Sequence, residues 1–330
     1  MKTFRILFVI SILIIVSSSI AQTFNGQPIT HTFSIVAVDE STGQIGAAVQ
    51  SHWFSVGSIV TWAEAGVGAV ATQSLVNVSF GPRGLSLLKE GKTVGDVLDL
   101  LLSDDEGREF RQVAIIDYKG NVSTFTGNKC IAEASHITGK NYSVQANMML
   151  NDKVVSAMSE AFENSQGPLA ERMMASMNAA QDAGGDIRGE QSAAILVVRG
   201  QSTGKIWEDR LIDIRVEDHP HAVTEIGRIL KLYRAYEHMN KGDLAIEKGD
   251  EITALIEYSA AKQIVPHSIE IDYWTAVSLA NIGRLDEALP LFKKVFTNDR
   301  NWIELTKRIV PNGILTINQA SLQRILDVIN

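Results

Sequence analysis

Cysteine is nearly absent from the sequence, since Cys130 is the only one among 330 residues. An intramolecular disulfide is therefore excluded, and the folded state has to be stabilised by its core. Cys130 and His136 are predicted to lie in one Gly-bearing loop, but without motif spacing the pair gives little support for a thiol nucleophile. The seven histidines show no His-x-x-x-His spacing, and no Cys-x-x-Cys exists. We expect no metal site and no cofactor.

Basic residues are outnumbered by acidic ones. Thirty lysines and arginines stand against 38 aspartates and glutamates, which gives a formal net charge of −8. A nucleic-acid partner requires a basic surface that neutralises phosphates. The composition therefore argues against a nucleic-acid partner.

Long apolar runs are absent except at residues 6–16, which follow the basic residues Lys2 and Arg5. Small residues at 19–21 complete the pattern of a secretory signal peptide. We predict a signal peptide over residues 1–21 and export to the periplasm or the extracellular space. An uncleaved anchor is the less favoured alternative, because the run is short for a span of about 20 residues. No membrane span is expected after cleavage.

A polar arm or propeptide, residues 22–31, precedes the first predicted strand, which ends at a turn over residues 39–43. Thr32 lies at the start of this strand. If the chain were cut before Thr32, one residue would carry both a hydroxyl and a free α-amine. That amine, with an unperturbed pKa of about 7.7–8.0, is a base near neutral pH. Alternatively, Thr32 is an ordinary strand residue, since threonine is favoured in strands.

Polar side chains suited to substrate binding lie in three further stretches. Residues 72–84 predict a polar loop broken by Gly-Pro, residues 142–147 a strand with two amides on one face, and residues 184–192 a charged Gly-rich loop. The candidates for substrate binding or an oxyanion site are Gln73, Asn77, Arg83, Gln145, Asn147, Asp186 and Arg188. The structural alternatives are amides that satisfy buried backbone groups and a salt-bridged turn after a helix.

The order of predicted elements is several strands, two helices, strands, two helices and strands. This order is typical of sheets that stack on each other and are covered by helices. The sequence therefore predicts an α+β fold for this part of the chain, residues 32–216.

Five stretches resemble the bacterial and archaeal family called domain of unknown function 1028. They are TFSIVA at 32–37, GVGAVATQ at 66–73, GPRG at 81–84, RQV at 111–113 and GDIRGEQSAA at 185–194. The family is classed as Ntn-hydrolase-like, so the resemblance implies a four-layer αββα sandwich with two central antiparallel sheets. It also implies amide-bond hydrolysis by an N-terminal Thr, Ser or Cys. Some relatives look to be fused to peptidoglycan-binding modules, which implies a link to the cell wall.

The sequence departs from this family before Thr32. Family members often begin almost directly at the matching threonine, whereas signal cleavage here leaves residues 22–31 in front of it. The implied mechanism therefore needs a second cut between His31 and Thr32, and no Gly-Thr self-processing junction is present. Without that cut Thr32 lacks its base, and losing an acid–base group typically costs about 10²–10⁴-fold in rate.

Residues 217–330 predict a second, all-helical domain with an internal repeat. Gly249, Ala254 and Tyr258 recur 34 residues later as glycine, alanine and phenylalanine. This period is similar to the tetratricopeptide pattern, in which small residues let paired helices approach closely. Such a domain offers a concave surface for a peptide or protein, or alternatively serves oligomerisation or packing.

Two function hypotheses follow. The first is an exported Ntn-type amidohydrolase that acts on a small amide or peptide-like substrate, with Thr32 as nucleophile. The second is a non-catalytic Ntn-fold scaffold whose repeat domain recruits a protein or peptide partner. Homo-oligomerisation stays open under both hypotheses.

Overall fold

The computed structural model describes residues 29–329. The predicted signal peptide and most of the predicted arm lie outside the described residues. Within residues 29–329, no helix combines the length and apolar character that crossing a membrane requires. The chain divides into two compact units between Gly227 and Arg228.

The first unit contains two antiparallel sheets. The strands of the larger sheet are β2 (Thr32–Val38), β3 (Ile45–Ser51), β8 (Ser135–Gly139), β9 (Tyr142–Ala146), β10 (Ser192–Val198) and β11 (Arg210–Val216). They are ordered β11-β10-β3-β2-β9-β8. The smaller sheet is formed by β1 (Ile29–Thr30), β4 (Thr61–Glu64), β5 (Gly68–Leu75), β6 (Arg111–Asp117) and β7 (Val122–Thr126). It is ordered β1-β5-β6-β7, and β4 also pairs with β5.

Helices cover the outer face of each sheet, and the two inner faces pack against each other. The pair α1 (Phe80–Lys89) and α2 (Val94–Ser103) packs on the smaller sheet. The pair α3 (Val154–Asn164) and α4 (Leu169–Asp182) packs on the larger sheet. A short helix, α5 (Ile206–Asp209), precedes β11. The predicted α+β class is confirmed for this unit.

Alternation along the strands separates the core into layers. On β5, Ala69 and Ala71 face the other sheet, whereas Val70 between them packs against α1 and α2. Small inward residues let the two sheets approach closely. The same alternation directs Gln73 on β5 and Thr32 on β2 into the space between the sheets. The inter-sheet space is therefore apolar at one end and polar at the other.

Two local predictions are wrong. The predicted loop over residues 72–84 is confined to residues 76–79, between the end of β5 and the start of α1. Proline is tolerated at Pro82 because backbone N–H groups in the first helical turn have no intrahelical partner. His136, predicted in a loop, lies on strand β8.

The second unit is helical, which confirms the predicted helical C-terminal region. Its helices are α6 (Ala222–Glu247), which begins in the first unit, α7 (Glu251–Ile264), α8 (Ile269–Asn281), α9 (Leu285–Asn298), α10 (Asn301–Ile309) and α11 (Gln319–Leu326). Gly249 and Gly283 both adopt positive φ, at 74° and 83°, in the turns before α7 and α9. Ala254 and Ala288 are both fully buried one turn into these helices.

Candidate functional site

A buried polar cluster occupies one end of the space between the sheets. Its members have no exposed surface and are contributed by strands of both sheets or by the residue after β9: Thr32, Ser34, Gln73, Gln112, Ser143, Gln145 and Asn147. Seven neutral polar side chains are costly to bury unless they are hydrogen-bonded to one another. Burial of this cluster is therefore tolerated only if its members form hydrogen bonds with one another.

Ser34 connects the two sheets through this cluster. Its Oγ donates to Gln73 Oε1 at 2.6 Å and accepts from Gln145 Nε2 at 2.6 Å. Ser143 Oγ donates to Gln145 Oε1 at 3.0 Å. Gln73 Nε2 donates to Gln112 Oε1 at 2.7 Å and to the main-chain oxygen of Thr32 at 3.3 Å. These bonds fix the amide orientations and hold the backbone of Thr32.

Gln112 carries the network towards an edge of the unit. Its Oε1 also accepts from Asn147 Nδ2 at 2.9 Å, and its Nε2 donates to Thr126 Oγ1 at 2.9 Å. Thr126 Oγ1 lies 2.8 Å from His136 Nδ1. Thr126, Cys130 and His136 line a cavity of about 450 Å³ at this edge. Burial raises the pKa of the Cys130 thiol, so Cys130 lacks the thiolate character of a nucleophile.

Thr32 itself is internal in the chain. Its nitrogen is in the peptide bond with His31, and its Oγ1 donates to the main-chain oxygen of Thr30 at 2.9 Å. Thr32 is fully buried and His31 is 2% exposed. In this form the hydroxyl has no α-amine beside it and no access to solvent.

The carbonyl oxygen of His31 accepts two side-chain hydrogen bonds. Ser51 Oγ donates to it at 2.6 Å, and Arg188 Nη2 donates at 3.0 Å. Ser51 lies directly opposite Thr32 in the β2–β3 pairing. A hydroxyl and a cationic donor on one carbonyl oxygen polarise the bond and stabilise negative charge that develops there. This carbonyl belongs to the peptide bond that joins His31 to Thr32.

Asp186 holds Arg188 in place. The carboxylate of Asp186 is fully buried, and its Oδ2 lies 2.6 Å from Arg188 Nη2. Its Oδ1 accepts from Arg188 Nε at 3.0 Å and from the main-chain N–H of Arg188 at 2.9 Å. The surrounding loop turns through Gly184, Gly185 and Gly189, all with positive φ, which glycine adopts without steric cost. Asp186 therefore holds the guanidinium of Arg188 in a fixed position through both of its carboxylate oxygens.

The imidazole of His31 contacts the polar cluster directly. Its Nδ1 lies 2.9 Å from Asn147 Oδ1, and an amide oxygen can only accept, so Nδ1 carries the proton. Burial lowers the pKa of His31, and the charge of Arg188 lowers it further, against the opposing effects of Asn147 and Asp186. His31 is therefore neutral at neutral pH.

We expect the buried, neutral His31 to make folding stability depend on pH. The unfolded chain binds a proton at histidine below about pH 6.5, whereas the native chain resists protonation until a lower pH. Stability contributed by His31 is therefore lost as the pH falls below about 6.5, by at most about 1.4 kcal/mol per pH unit. Urea unfolding measures this slope between pH 7 and pH 5. It is applied to the uncleaved chain, in which His31 is still joined to Thr32, and to the His31→Gln variant of that chain.

His136 is a second histidine whose pKa burial lowers. It contributes to the slope in both chains, so only the difference between them reports on His31. Equal slopes for the two chains would show that His31 is protonated as easily in the folded state as in the unfolded state.

The structure brings most of the predicted site residues together. Thr32, Gln73, Gln145 and Asn147 share one hydrogen-bond network, and Arg188, held by Asp186, reaches the His31 carbonyl. The other two predicted residues lie outside this network. Asn77 Nδ2 donates to Asp105 at 3.3 Å. Arg83 pairs with Asp104 at 3.2 Å, and its side chain is 44% exposed.

Site residues that were not predicted from the sequence include Ser34, Ser51, Gln112 and Ser143. Ser34 lies two residues after Thr32, and alternation along a strand places both side chains on the same face. Ser34 could therefore have been predicted from the sequence. Ser51 required the register of the β2–β3 hairpin, and Gln112 required knowledge that β6 faces β9. Among the described residues, no group of three or more His, Cys, Asp or Glu side chains is placed to hold a metal ion.

Comparison with known proteins identifies the family. A family model described as "Family of unknown function (DUF1028)" matches residues 32–226, more than half of the chain. The chain belongs to the DUF1028 family. The match begins at Thr32, so the residues in front of Thr32 lie outside the region shared with the DUF1028 family.

Two solved structures are similar to parts of this DUF1028 chain. The crystal structure of SPO2555 from Silicibacter pomeroyi, a DUF1028 protein, is 30% identical, with a TM-score of 0.56, and covers 61% of this chain and 85% of its own. Anbu, an ancestral β-subunit from Yersinia bercovieri, is 13% identical with a TM-score of 0.29, and the match covers 60% of this chain and 94% of Anbu. The second score is too low to carry a conclusion. No match is found among the curated proteins.

Proposed function

We propose that this chain is an exported Ntn-type amidohydrolase whose nucleophile, Thr32, becomes N-terminal when the His31–Thr32 bond is cleaved. The observation that carries the proposal is the His31 carbonyl, in the peptide bond that precedes Thr32, which accepts from Ser51 and Arg188. The helix–sheet–sheet–helix order of the first unit supports a four-layer αββα sandwich of the Ntn type. The family match that begins at Thr32 supports the position of the cut.

The cleavage is a self-catalysed acyl shift followed by hydrolysis. Thr32 Oγ1 attacks the carbonyl carbon of His31, and the negative charge that develops on the oxygen is stabilised by Ser51 and Arg188. The C–N bond then breaks, the hydroxyl proton ends on the nitrogen of Thr32, and an ester joins His31 to Oγ1. Water hydrolyses the ester, which leaves a carboxylate on His31 and a free hydroxyl and α-amine on Thr32.

The same groups then act on an amide substrate. The α-amine of Thr32 accepts the hydroxyl proton while Oγ1 attacks the substrate carbonyl, and the leaving amine departs with that proton. Water hydrolyses the resulting ester and regenerates Thr32. We assign the oxyanion donors as Ser51 and Arg188. The amides of Gln73, Gln145 and Asn147 instead orient the backbone and the acyl group, because each is already committed to hydrogen bonds within the cluster.

A non-catalytic binding scaffold is the second candidate. The observation that favours it is the complete burial of an internal Thr32 in the uncleaved chain. In the helical unit, which we propose to be tetratricopeptide-like, Leu244, Ile252 and Ile256 are 52%, 76% and 62% exposed. Exposed apolar side chains of this kind are typical of sites that contact a partner protein or peptide.

Turnover of peptide amides separates the two candidates. We expect the cleaved protein to release amine from a panel of peptide amides, with a rate that rises as the α-amine loses its proton at about pH 7.7–8.0. Selective carbamylation of the α-amine near neutral pH removes the base and should reduce the rate by about 10²–10⁴-fold. Turnover that survives carbamylation unchanged, or no turnover at all, would favour the scaffold.

A further inference from the structure

We infer that the groove holding residues 29–31 is the acyl-side substrate groove, and that the substrate is an extended peptide with histidine immediately before the cleaved amide. This inference rests on the proposed function. Residues 29–31 lie on the acyl side of the His31–Thr32 bond, so in the uncleaved chain they occupy the place of the acyl half of a substrate. What holds these residues therefore describes what the site recognises.

The backbone of residues 29–31 is held as an added strand. Ile29 pairs with Leu75 and Thr30 pairs with Ser74 in antiparallel register. On the same edge of β5, strand β4 pairs only with residues 68–71. When residues 29–31 leave, the edge at residues 74–75 can therefore pair with another extended chain. Main-chain pairing of this kind selects an extended peptide and tolerates many side chains.

Ser74 has an unusual backbone conformation at this edge. Its φ is 72°, which is uncommon for a residue other than glycine. Its main-chain oxygen accepts from Thr30 Oγ1 at 3.3 Å. Backbone outliers of this kind cluster at ligand-binding sites, and this one faces the segment that we treat as the built-in substrate.

The side chain of His31 is recognised by one polar group. It is almost fully buried, and its Nδ1–H donates to Asn147 Oδ1 at 2.9 Å. If a leucine side chain filled this place, Asn147 Oδ1 would be buried without its donor, which carries a free-energy cost. The site therefore favours histidine over an apolar side chain of similar size.

The recognising groups do not depend on the segment that they hold. Arg188 is fixed by the buried carboxylate of Asp186, and Asn147 is fixed by Gln112. Ser51 lies in β3 and pairs with Ser192 on β10. These contacts remain when residues 29–31 leave, so the groove is preformed for a second acyl group.

The test uses the cleaved wild-type chain and two fluorogenic amides, acetyl-Ile-Thr-His-aminomethylcoumarin and acetyl-Ile-Thr-Leu-aminomethylcoumarin. We expect kcat/KM to be about 10-fold higher for the histidine amide. The ratio of the two values does not depend on how much of the protein is active. In Asn147→Leu the apolar replacement should bring the ratio to one or below. The free acids Ile-Thr-His and Ile-Thr-Leu, tested as competitive inhibitors of the unsubstituted cleaved chain, should show the same preference if Asn147→Leu fails to fold.

The outcomes separate this inference from the proposed function. Hydrolysis of both amides at equal rates, or of other amides but neither of these, would overturn the histidine groove and leave the amidohydrolase standing. A chain that keeps His31 joined to Thr32 and hydrolyses no amide would overturn both. A 10-fold preference that is lost in Asn147→Leu supports both.

Discussion

Replacing Thr32 with alanine is expected to leave His31 and residue 32 joined and to abolish amide turnover. The hydroxyl is the attacking group in both reactions, and removing a catalytic nucleophile costs on the order of 10⁶-fold in a well-characterised hydrolase. The readouts are the intact mass of the protein and the rate of amine release. Thr32→Ser keeps a hydroxyl in the same place and should retain both reactions at a reduced rate.

A matched control separates loss of the nucleophile from loss of a buried hydroxyl. Thr72 is also a fully buried strand threonine, and its Oγ1 donates to the main-chain oxygen of Asn77 at 3.2 Å. Thr72→Ala should therefore cost stability similar to Thr32→Ala while cleavage proceeds. Cleavage that continues in Thr32→Ala would contradict the assignment of the nucleophile and indicate another protease.

Replacing Ser51 with alanine is expected to slow cleavage of the His31–Thr32 bond by about 10²–10³-fold, the usual effect of losing one oxyanion donor. Its Oγ donates to the His31 carbonyl at 2.6 Å, and the hydrogen bond strengthens as charge develops on that oxygen. The rate is measured as loss of the uncleaved mass over time. Ser176→Ala is the matched control, because Ser176 is fully buried and its Oγ also donates to a main-chain oxygen, that of Met158, at 3.0 Å.

Arg188 provides the second donor, and Arg188→Gln should slow cleavage by a comparable factor. This change also leaves the carboxylate of Asp186 buried without its partner, which typically costs about 3–5 kcal/mol. Unfolding is therefore measured in parallel, and Arg188→Lys, which keeps the positive charge, should recover part of the rate. Unchanged cleavage in Ser51→Ala and Arg188→Gln would show that the His31 carbonyl is not activated by these groups.

Local patterns predicted the strand that carries Thr32 and the shared face of Gln145 and Asn147, because alternation within one strand depends only on neighbouring residues. The meeting of Gln73 with Gln145 depends on two sheets facing each other, which no local pattern specifies. The α+β class and the helical C-terminal region were also predicted, since apolar periodicity and element order are local signals.

The contacts that decide the chemistry come from distant parts of the chain. Arg188 was predicted as a substrate-binding or oxyanion residue because it lies in a Gly-rich charged loop, but its hydrogen bonds to Asp186 and to the carbonyl of His31 depend on the folded structure. Ser51 was not predicted, because its role depends on strand register. Asn77 and Arg83 were selected for a polar loop, but only Asn77 lies in the short connection between β5 and α1, whereas Arg83 lies in the first turn of α1.

The most direct test of the central claim is the intact mass, with N-terminal sequencing, of the wild-type protein recovered from its exported fraction. The proposed function predicts that the chain begins at Thr32, with a free α-amine beside the hydroxyl. A chain that begins at Gln22, or anywhere before Thr32, would contradict the proposed self-cleavage, because the nucleophile would stay internal and without its base.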